Sequence, residues 1–235
     1  FVARELKDIG SSEDAIVALP TPPPVKEGKA GVLHLLPSTI DLAGAELHLL
    51  TKTGREYVLR KALSKVGDRY DRVLIDCPPS LGILTINGLT AADEVLIPLQ
   101  CESLSQRGVG QLLETIEDVR DYTNEDLEVI GAIATLFDGR TKLAHQVVEQ
   151  VRRTYDIKVL EPFVPKSVKV AEAPARGKSV LTHAPKSRSA QAYRELANHM
   201  VFVAKNSPDD NLTFVNIVKV TLKGPGLILE SAMLG

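Results

Sequence analysis

Arg72-Val-Leu-Ile-Asp76-Cys-Pro-Pro-Ser80 is the stretch on which the reading of this chain turns. Val73-Leu74-Ile75 is a short unbroken apolar run, the pattern of a strand buried on both faces of a parallel sheet. The run ends on a carboxylate, Asp76, at the carboxyl edge where open α/β sheets bind ligands. Pro78-Pro79 then stops the ladder, because neither residue has an N–H to donate. A carboxylate in that place can hold Mg²⁺ beside a nucleotide phosphate. The strand and its Asp alone fit equally an aspartate that caps the following turn.

Outward from this stretch, strand and helix signals alternate. Ala30–Leu36 reads as a strand. Ser38 or Thr39 can cap a helix running to Leu50, with Ile40, Leu42, Ala43, Leu47 and Leu50 on one face. Glu56–Val66 is a second helix and Leu84–Ala92 a short third. Glu94–Leu99 is a strand, Ser105–Tyr122 a helix, Leu127–Leu136 a strand and Lys142–Tyr155 a helix. Lys158–Val164 and Ser189–Lys205 complete the series as strand and helix. Strands separated by helix-length segments predict βαβ crossovers, hence an α/β doubly wound, mostly parallel sheet.

Two stretches stand apart. Leu19–Lys29 carries Pro20, Pro22, Pro23 and Pro24 and reads as an extended surface loop. After residue 205 the pattern changes: 206–211 is turn-rich and 212–222 is β-like. The expected organisation is one domain over 1–205 and a tail over 206–235, the tail left open between an edge strand and a loose end.

Composition narrows the function classes. The 235 residues are 44% hydrophobic and 25% charged, ample for one core. No apolar run reaches the roughly 18 residues of a membrane span, and no basic segment followed by an apolar stretch opens the chain. Cys77 and Cys101 lack metal or disulfide spacing and read as buried apolar residues of a reduced, cytoplasmic protein. His34, His48, His145, His183 and His199 share no ligand spacing. Net charge is −2, but from Arg140 to Arg194 twelve Lys/Arg stand against four acids, leaving that segment at +8. Such asymmetry fits a polyanion-binding face, or a solvated basic surface.

Several blocks together resemble the ParA/Soj family of chromosome and plasmid partitioning ATPases. They are Tyr70–Gly82, Leu84-Thr-Ile-Asn87, Ala91–Asp93 with Val95–Glu102, Leu36–Glu46, Phe137–Thr141 and Val164–Pro174. The resemblance spans roughly Gly31 to Ala204. It implies a P-loop NTPase fold of the deviant Walker A type, with ATP and Mg²⁺ as cofactors. Asp76 would then be the Walker B residue, acting on Mg²⁺ through water, and the Cys77–Ser80 turn, including Pro78, would sense the γ-phosphate. Pro165 and Ser167 stand where the family lines the adenine, Ser167 replacing an Asn. Lys166 stands where the family has a DNA-contacting Arg. Lys keeps the charge and loses the bidentate fork. With the +8 segment, the resemblance makes Lys166, Lys169, Arg176, Arg188 and Arg194 the DNA-binding set. The implied partners are DNA bound without sequence preference, a ParB-like centromere-binding protein and a second copy of the chain. No membrane is implied, and the location is the cytoplasm at the nucleoid.

The family's glycine-rich Lys-Gly-Gly-Val-Gly-Lys-Thr loop has no counterpart. No G-x-x-x-x-G-K-[ST] run occurs in these residues, and the family's switch I aspartate lacks one too. The expectation is a chain missing its first βα unit, beginning at Phe1, that binds ATP poorly and hydrolyses it negligibly. Two alternatives stand beside an ATP-switched dimer. One is a non-catalytic DNA-binding or interaction fragment. The other is a MinD-like membrane-associated regulator, which would need an amphipathic basic C-terminal helix where 212–235 alternates like a strand. Asp138-Gly139-Arg140 reads as a turn. Gly108 and Gly110 mark close packing at the start of their helix, with a dimer face as one setting.

Overall fold

Alternation within Glu94–Gln100 organises the molecule. In the computed structural model, Val95, Ile97 and Leu99 point to one face of this strand and Leu96 to the other, and all four are buried. The structure describes residues 17–19, 33–36, 38, 41–65, 70, 72–101, 105–205 and 213–218. The elements are β1 (Val17–Leu19), β2 (Leu33–Leu35), α1 (Asp41–Leu50), a 3₁₀ turn at Arg55–Tyr57, α2 (Val58–Leu63), β3 (Arg72–Cys77) and α3 (Ile83–Ala91). There follow β4 (Glu94–Gln100), α4 (Ser105–Tyr122), β5 (Glu128–Thr135), α5 (Lys142–Tyr155) and β6 (Val159–Leu160). The series closes with α6 (Val168–Ala175), α7 (Val180–His183), α8 (Arg188–Lys205) and β7 (Thr213–Val218).

Among the described residues, five strands form one parallel sheet in the order β3-β7-β4-β5-β6. On one face, Val95, Ile97, Leu99, Ala132 and Ala134 meet Val109, Leu112 and Ile116 of α4 and Val147, Val148 and Val151 of α5. On the other, Leu96, Ile133 and Leu160 meet Ala192 and Leu196 of α8. Helices on both faces make the doubly wound α/β architecture expected of a P-loop NTPase.

β3 departs from the expectation of a strand buried on both faces. It is the outermost strand of the described sheet, Val73 and Ile75 pack against Leu59, Leu63 and Ala91, and Leu74 is 41% exposed. An apolar run of three residues cannot distinguish a central strand from one with a single covered face. The segment 213–218 is neither an edge strand nor a loose end. It lies between β3 and β4, pairing with Arg72–Cys77 along its whole length and with Glu94–Leu96 on its other side.

Leu33–Leu35 is shorter than the expected Ala30–Leu36 strand and pairs antiparallel with Val17–Leu19, a strand without a periodic signal. The proline-rich loop at 20–29 and the helix cap at Thr39 lie outside the described residues. β6 is only two residues long, because Pro162 cannot continue the ladder. In β5, Gly131 adopts φ +147° where the register with β4 shifts, and a Cβ there would stand 2.7 Å from the Lys158 carbonyl. Gly110 makes its close contact inside the molecule: a Cβ would lie 3.0 Å from Tyr155 Oη on α5, so packing there serves the α4–α5 contact.

Candidate functional site at the carboxyl edge

Parallel strands deliver their C-terminal ends to one edge. β3 brings Asp76 there, exposed, with Cys77 buried just beyond. The chain then turns through half-buried Pro78 and exposed Pro79 and Ser80 before Gly82 opens α3. Thr85, on the first turn of α3, donates its hydroxyl to the Ser80 carbonyl at 2.5 Å and leans toward that of Pro78 at 3.4 Å. From α1, the Glu46 carboxylate closes in on the same turn. A Cβ built on Gly82 would lie 3.2 Å from Glu46 Oε1. Glu46 closes the Leu36–Glu46 block, but its place against this turn is tertiary information with no local signal.

Among the described residues no group of three His, Cys, Asp or Glu could cage a metal. Asp76 places one exposed carboxylate at this end of the edge.

The other end of the edge is built from the segments after β5 and β6. Phe137 N–H donates to the Val164 carbonyl at 3.0 Å, and Lys166 N–H to the Phe137 carbonyl at 3.1 Å, so the two loops run side by side. Asp138 does form the expected turn. Its carboxylate takes the Arg140 side chain through Nε and Nη2, both at 2.9 Å, and the Arg140 backbone N–H at 3.1 Å. These bonds, the side-chain ones first, hold the Asp138 carboxyl down to about 2, with the Lys166 charge adding to the effect. Thr141 caps α5 by accepting from the Ala144 N–H at 3.3 Å. Pro165 is half-buried, and its carbonyl accepts from buried Ser189 Oγ at 3.4 Å. Ser167 caps α6, its hydroxyl accepting from Lys169 N–H at 3.2 Å, so that oxygen already has a backbone partner.

The fold thus places Asp76 with Pro78 and Pro165 with Ser167 on one edge without bringing the pairs together. Four inter-strand spacings separate β3 from β6, on the order of 19 Å. A ligand engaging both must span the tips of the intervening strands.

The basic residues divide. Lys166, Arg176 and Arg188 are exposed, and the Ser189–Pro165 bond sets the start of α8 beside the Lys166 loop. Lys178 and Lys186, outside the expected set, are exposed on the same stretch of chain. Lys169 is exposed but shares its ammonium with Glu172 at 3.3 Å. That bond, with His183 at 3.4 Å on the same oxygen, lowers the Glu172 pKa. Arg194 does something else. Its Nη1 donates to the Pro185 carbonyl at 2.7 Å and its Nη2 reaches the Leu181 carbonyl at 3.4 Å, while Nε is buried with no hydrogen-bond partner among the described residues. Its guanidinium faces the protein and holds the α7–α8 connection. Cys101 is buried, which pushes its thiol up to about 11 and leaves it unreactive.

A model of the AAA domain family matches residues 23–129. Over 168 residues the chain is 45% identical to the sporulation initiation inhibitor protein Soj of Bacillus subtilis, covering 72% of this chain and 66% of that protein. It is 44% identical over 169 residues to the chromosome-partitioning ATPase Soj of Treponema pallidum, covering 72% and 67%. The chain therefore spans about two thirds of the length of these relatives. Among solved structures, a cobyrinic acid a,c-diamide synthase from Mycobacterium smegmatis with bound ADP and magnesium superposes with a TM-score of 0.70 at 41% identity. That match covers 91% of this chain and 76% of the other.

Proposed function

The chain belongs to the ParA/Soj family of partitioning ATPases, and from that premise we propose that it is the DNA-binding and phosphate-sensing body of an ATP-dependent segregation protein. One observation carries the reading. Asp76 stands exposed at the carboxyl tip of β3, ahead of a proline turn that α3 holds from behind. In this reading Asp76 orients Mg²⁺ through water, and the metal neutralises charge developing on the transferred phosphoryl group. The Pro78–Ser80 turn meets the γ-phosphate. The purine lies toward Pro165 and Ser167, whose hydroxyl accepts from the Lys169 N–H and keeps its own O–H to donate.

DNA engages Lys166, Arg176 and Arg188 through phosphates, without base readout. The further partners are a second copy of the chain and a ParB-like protein that stimulates hydrolysis at the nucleoid. The residues contain no G-x-x-x-x-G-K-[ST] run to wrap the phosphates in backbone N–H groups. By themselves they bind Mg·ATP weakly and turn it over negligibly. Among the described residues no helix is long and apolar enough to cross a membrane.

Calorimetric titration of the 235-residue chain with Mg·ATP, in parallel with DNA binding at several salt concentrations, tests both halves. Weak nucleotide binding with steeply salt-dependent DNA binding is the expected pair. Micromolar ATP affinity overturns the weak-binding half, and salt-insensitive DNA binding overturns the phosphate-contact half. The Mycobacterium smegmatis likeness supports a second reading, an ATP-dependent amide-forming synthase. Detection of amide formation from a carboxylic acid and an ammonia donor would favour it.

A further inference from the structure

α3 carries two buried polar side chains whose bonds leave the helix in different directions. Thr85 is 0% exposed and Asn87 2%. A threonine inside a helix usually bonds the carbonyl three or four residues back. Thr85 instead reaches five and seven residues back, to Ser80 and Pro78 in the turn after Asp76. Asn87 lies two residues further, roughly 200° around the helix. Its Oδ1 accepts from the Leu59 N–H at 3.1 Å. Its Nδ2 donates to the Arg55 carbonyl at 2.8 Å and to Ile83 at 2.9 Å, so both amide protons are used.

Helix formation needs neither residue. Asn and Thr are poor helix formers, and valine would fill the Thr85 site with the same shape. What these side chains supply is connection. One grips the turn beside Asp76, the other grips the 3₁₀ turn at Arg55–Tyr57 and the first residues of α2. Arg55 passes the contact on, its Nη1 donating to the Leu50 carbonyl at the end of α1 at 2.8 Å.

We propose that Thr85 and Asn87 form a mechanical link through α3 that fixes the backbone of the 78–82 turn relative to the Arg55–Leu59 segment, which makes Thr85 a positioning residue for the proposed phosphate-facing turn. The link rests on the ATPase reading only for the ligand that would drive it. The coupling is a property of the protein without nucleotide. A shift of the turn toward or away from a phosphate pulls on the first turn of α3, and Asn87, held by its three bonds, carries the movement to Arg55 and Leu59. A leucine or alanine at 87 would let the two segments move independently.

Amide hydrogen exchange on the 235-residue chain without nucleotide tests this in the wild type, T85V and T85S. T85V keeps the shape and removes the donor, whereas T85S keeps the donor. The expected result is exchange faster by about tenfold in T85V over both 78–86 and 54–60. T85S should stay within about twofold of wild type, and β5 should be unchanged in both. Faster exchange confined to 78–86 overturns the link, as does no change in either segment. Loosening that reaches β5 to the same extent also overturns it, since Thr85 would then serve the stability of the whole domain. Because no nucleotide is present, failure of the ATPase reading, judged by the Mg·ATP titration, is separate from failure of the link.

Discussion

Two parallel bonds of 2.9 Å join the Arg140 guanidinium to the Asp138 carboxylate, Nε to Oδ1 and Nη2 to Oδ2. Arg140 is 90% exposed, so this fork is solvated and orients the loop rather than stabilising the fold to any large degree. The folded carboxyl titrates near 2, below its ordinary value of 3.8. Whatever stability it contributes is therefore present above the ordinary value and is lost as pH falls through about 2. Carbon NMR titration of Asp138 is expected to show a midpoint near 2 in wild type and a return to the usual carboxylate range in R140Q. A wild-type midpoint of about 4 would mean that the fork does not persist in solution.

Phosphate contacts leave a signature in salt dependence. Each one lost reduces the magnitude of the slope of log K against log salt by about 0.9 on duplex DNA. K166A and R188A are each expected to flatten the slope by about that amount and to weaken binding equally on unrelated sequences. K169A should do less, because its ammonium is already shared with Glu172. Fluorescence anisotropy between low and moderate salt measures all three, and an unchanged slope in K166A would remove that residue from the interface.

Arg194 should behave in the opposite way. R194K keeps the charge but loses the fork that reaches the Pro185 and Leu181 carbonyls. Its expected effect is a loss of about 1–3 kcal/mol in urea unfolding, with the DNA salt slope unchanged. A changed slope at wild-type stability would return Arg194 to the DNA surface.

Gly131 has no tolerance for a side chain. Its φ of +147° disfavours other residues, and a Cβ would meet the Lys158 carbonyl, a backbone atom that accepts from the Ala132 N–H at 2.8 Å. G131A is expected to cost about 1–3 kcal/mol or more. The control is G54A. Gly54 also has a positive φ of 66°, but among the described residues nothing lies within 4 Å of a Cβ there, so its cost should be smaller. Equal unfolding midpoints for the two variants would contradict the close approach.

Legibility followed periodicity. Ser105–Tyr122 and Lys142–Tyr155 were readable to their ends, since each repeats apolar residues at helical spacing. The position of Asp76 at the end of β3 was readable because the two prolines that follow Cys77 cannot continue a ladder. α6 and α7, of eight and four residues, escaped because segments that short present no repeat. The inward turn of Arg194, the capping duty of Ser167 and the approach of Glu46 to Gly82 depend on which elements meet, and nothing local encodes that. The sheet order was equally hidden. The β character of Leu212–Leu222 was visible, but its insertion between β3 and β4 depends on a gap that those strands leave for it.

That insertion sets a timetable for synthesis. The partners of Thr213–Val218 are Arg72–Cys77 and Glu94–Leu96, so the ribosome finishes both neighbours long before it makes the strand that joins them. Until then β3 and β4 present two facing rows of unmet N–H and C=O groups, a parallel vacancy of the kind that closes slowly and recruits foreign strands. A nascent chain stalled after residue 100 and before residue 213 would therefore be a natural client for chaperones, with that open seam as the place they must guard.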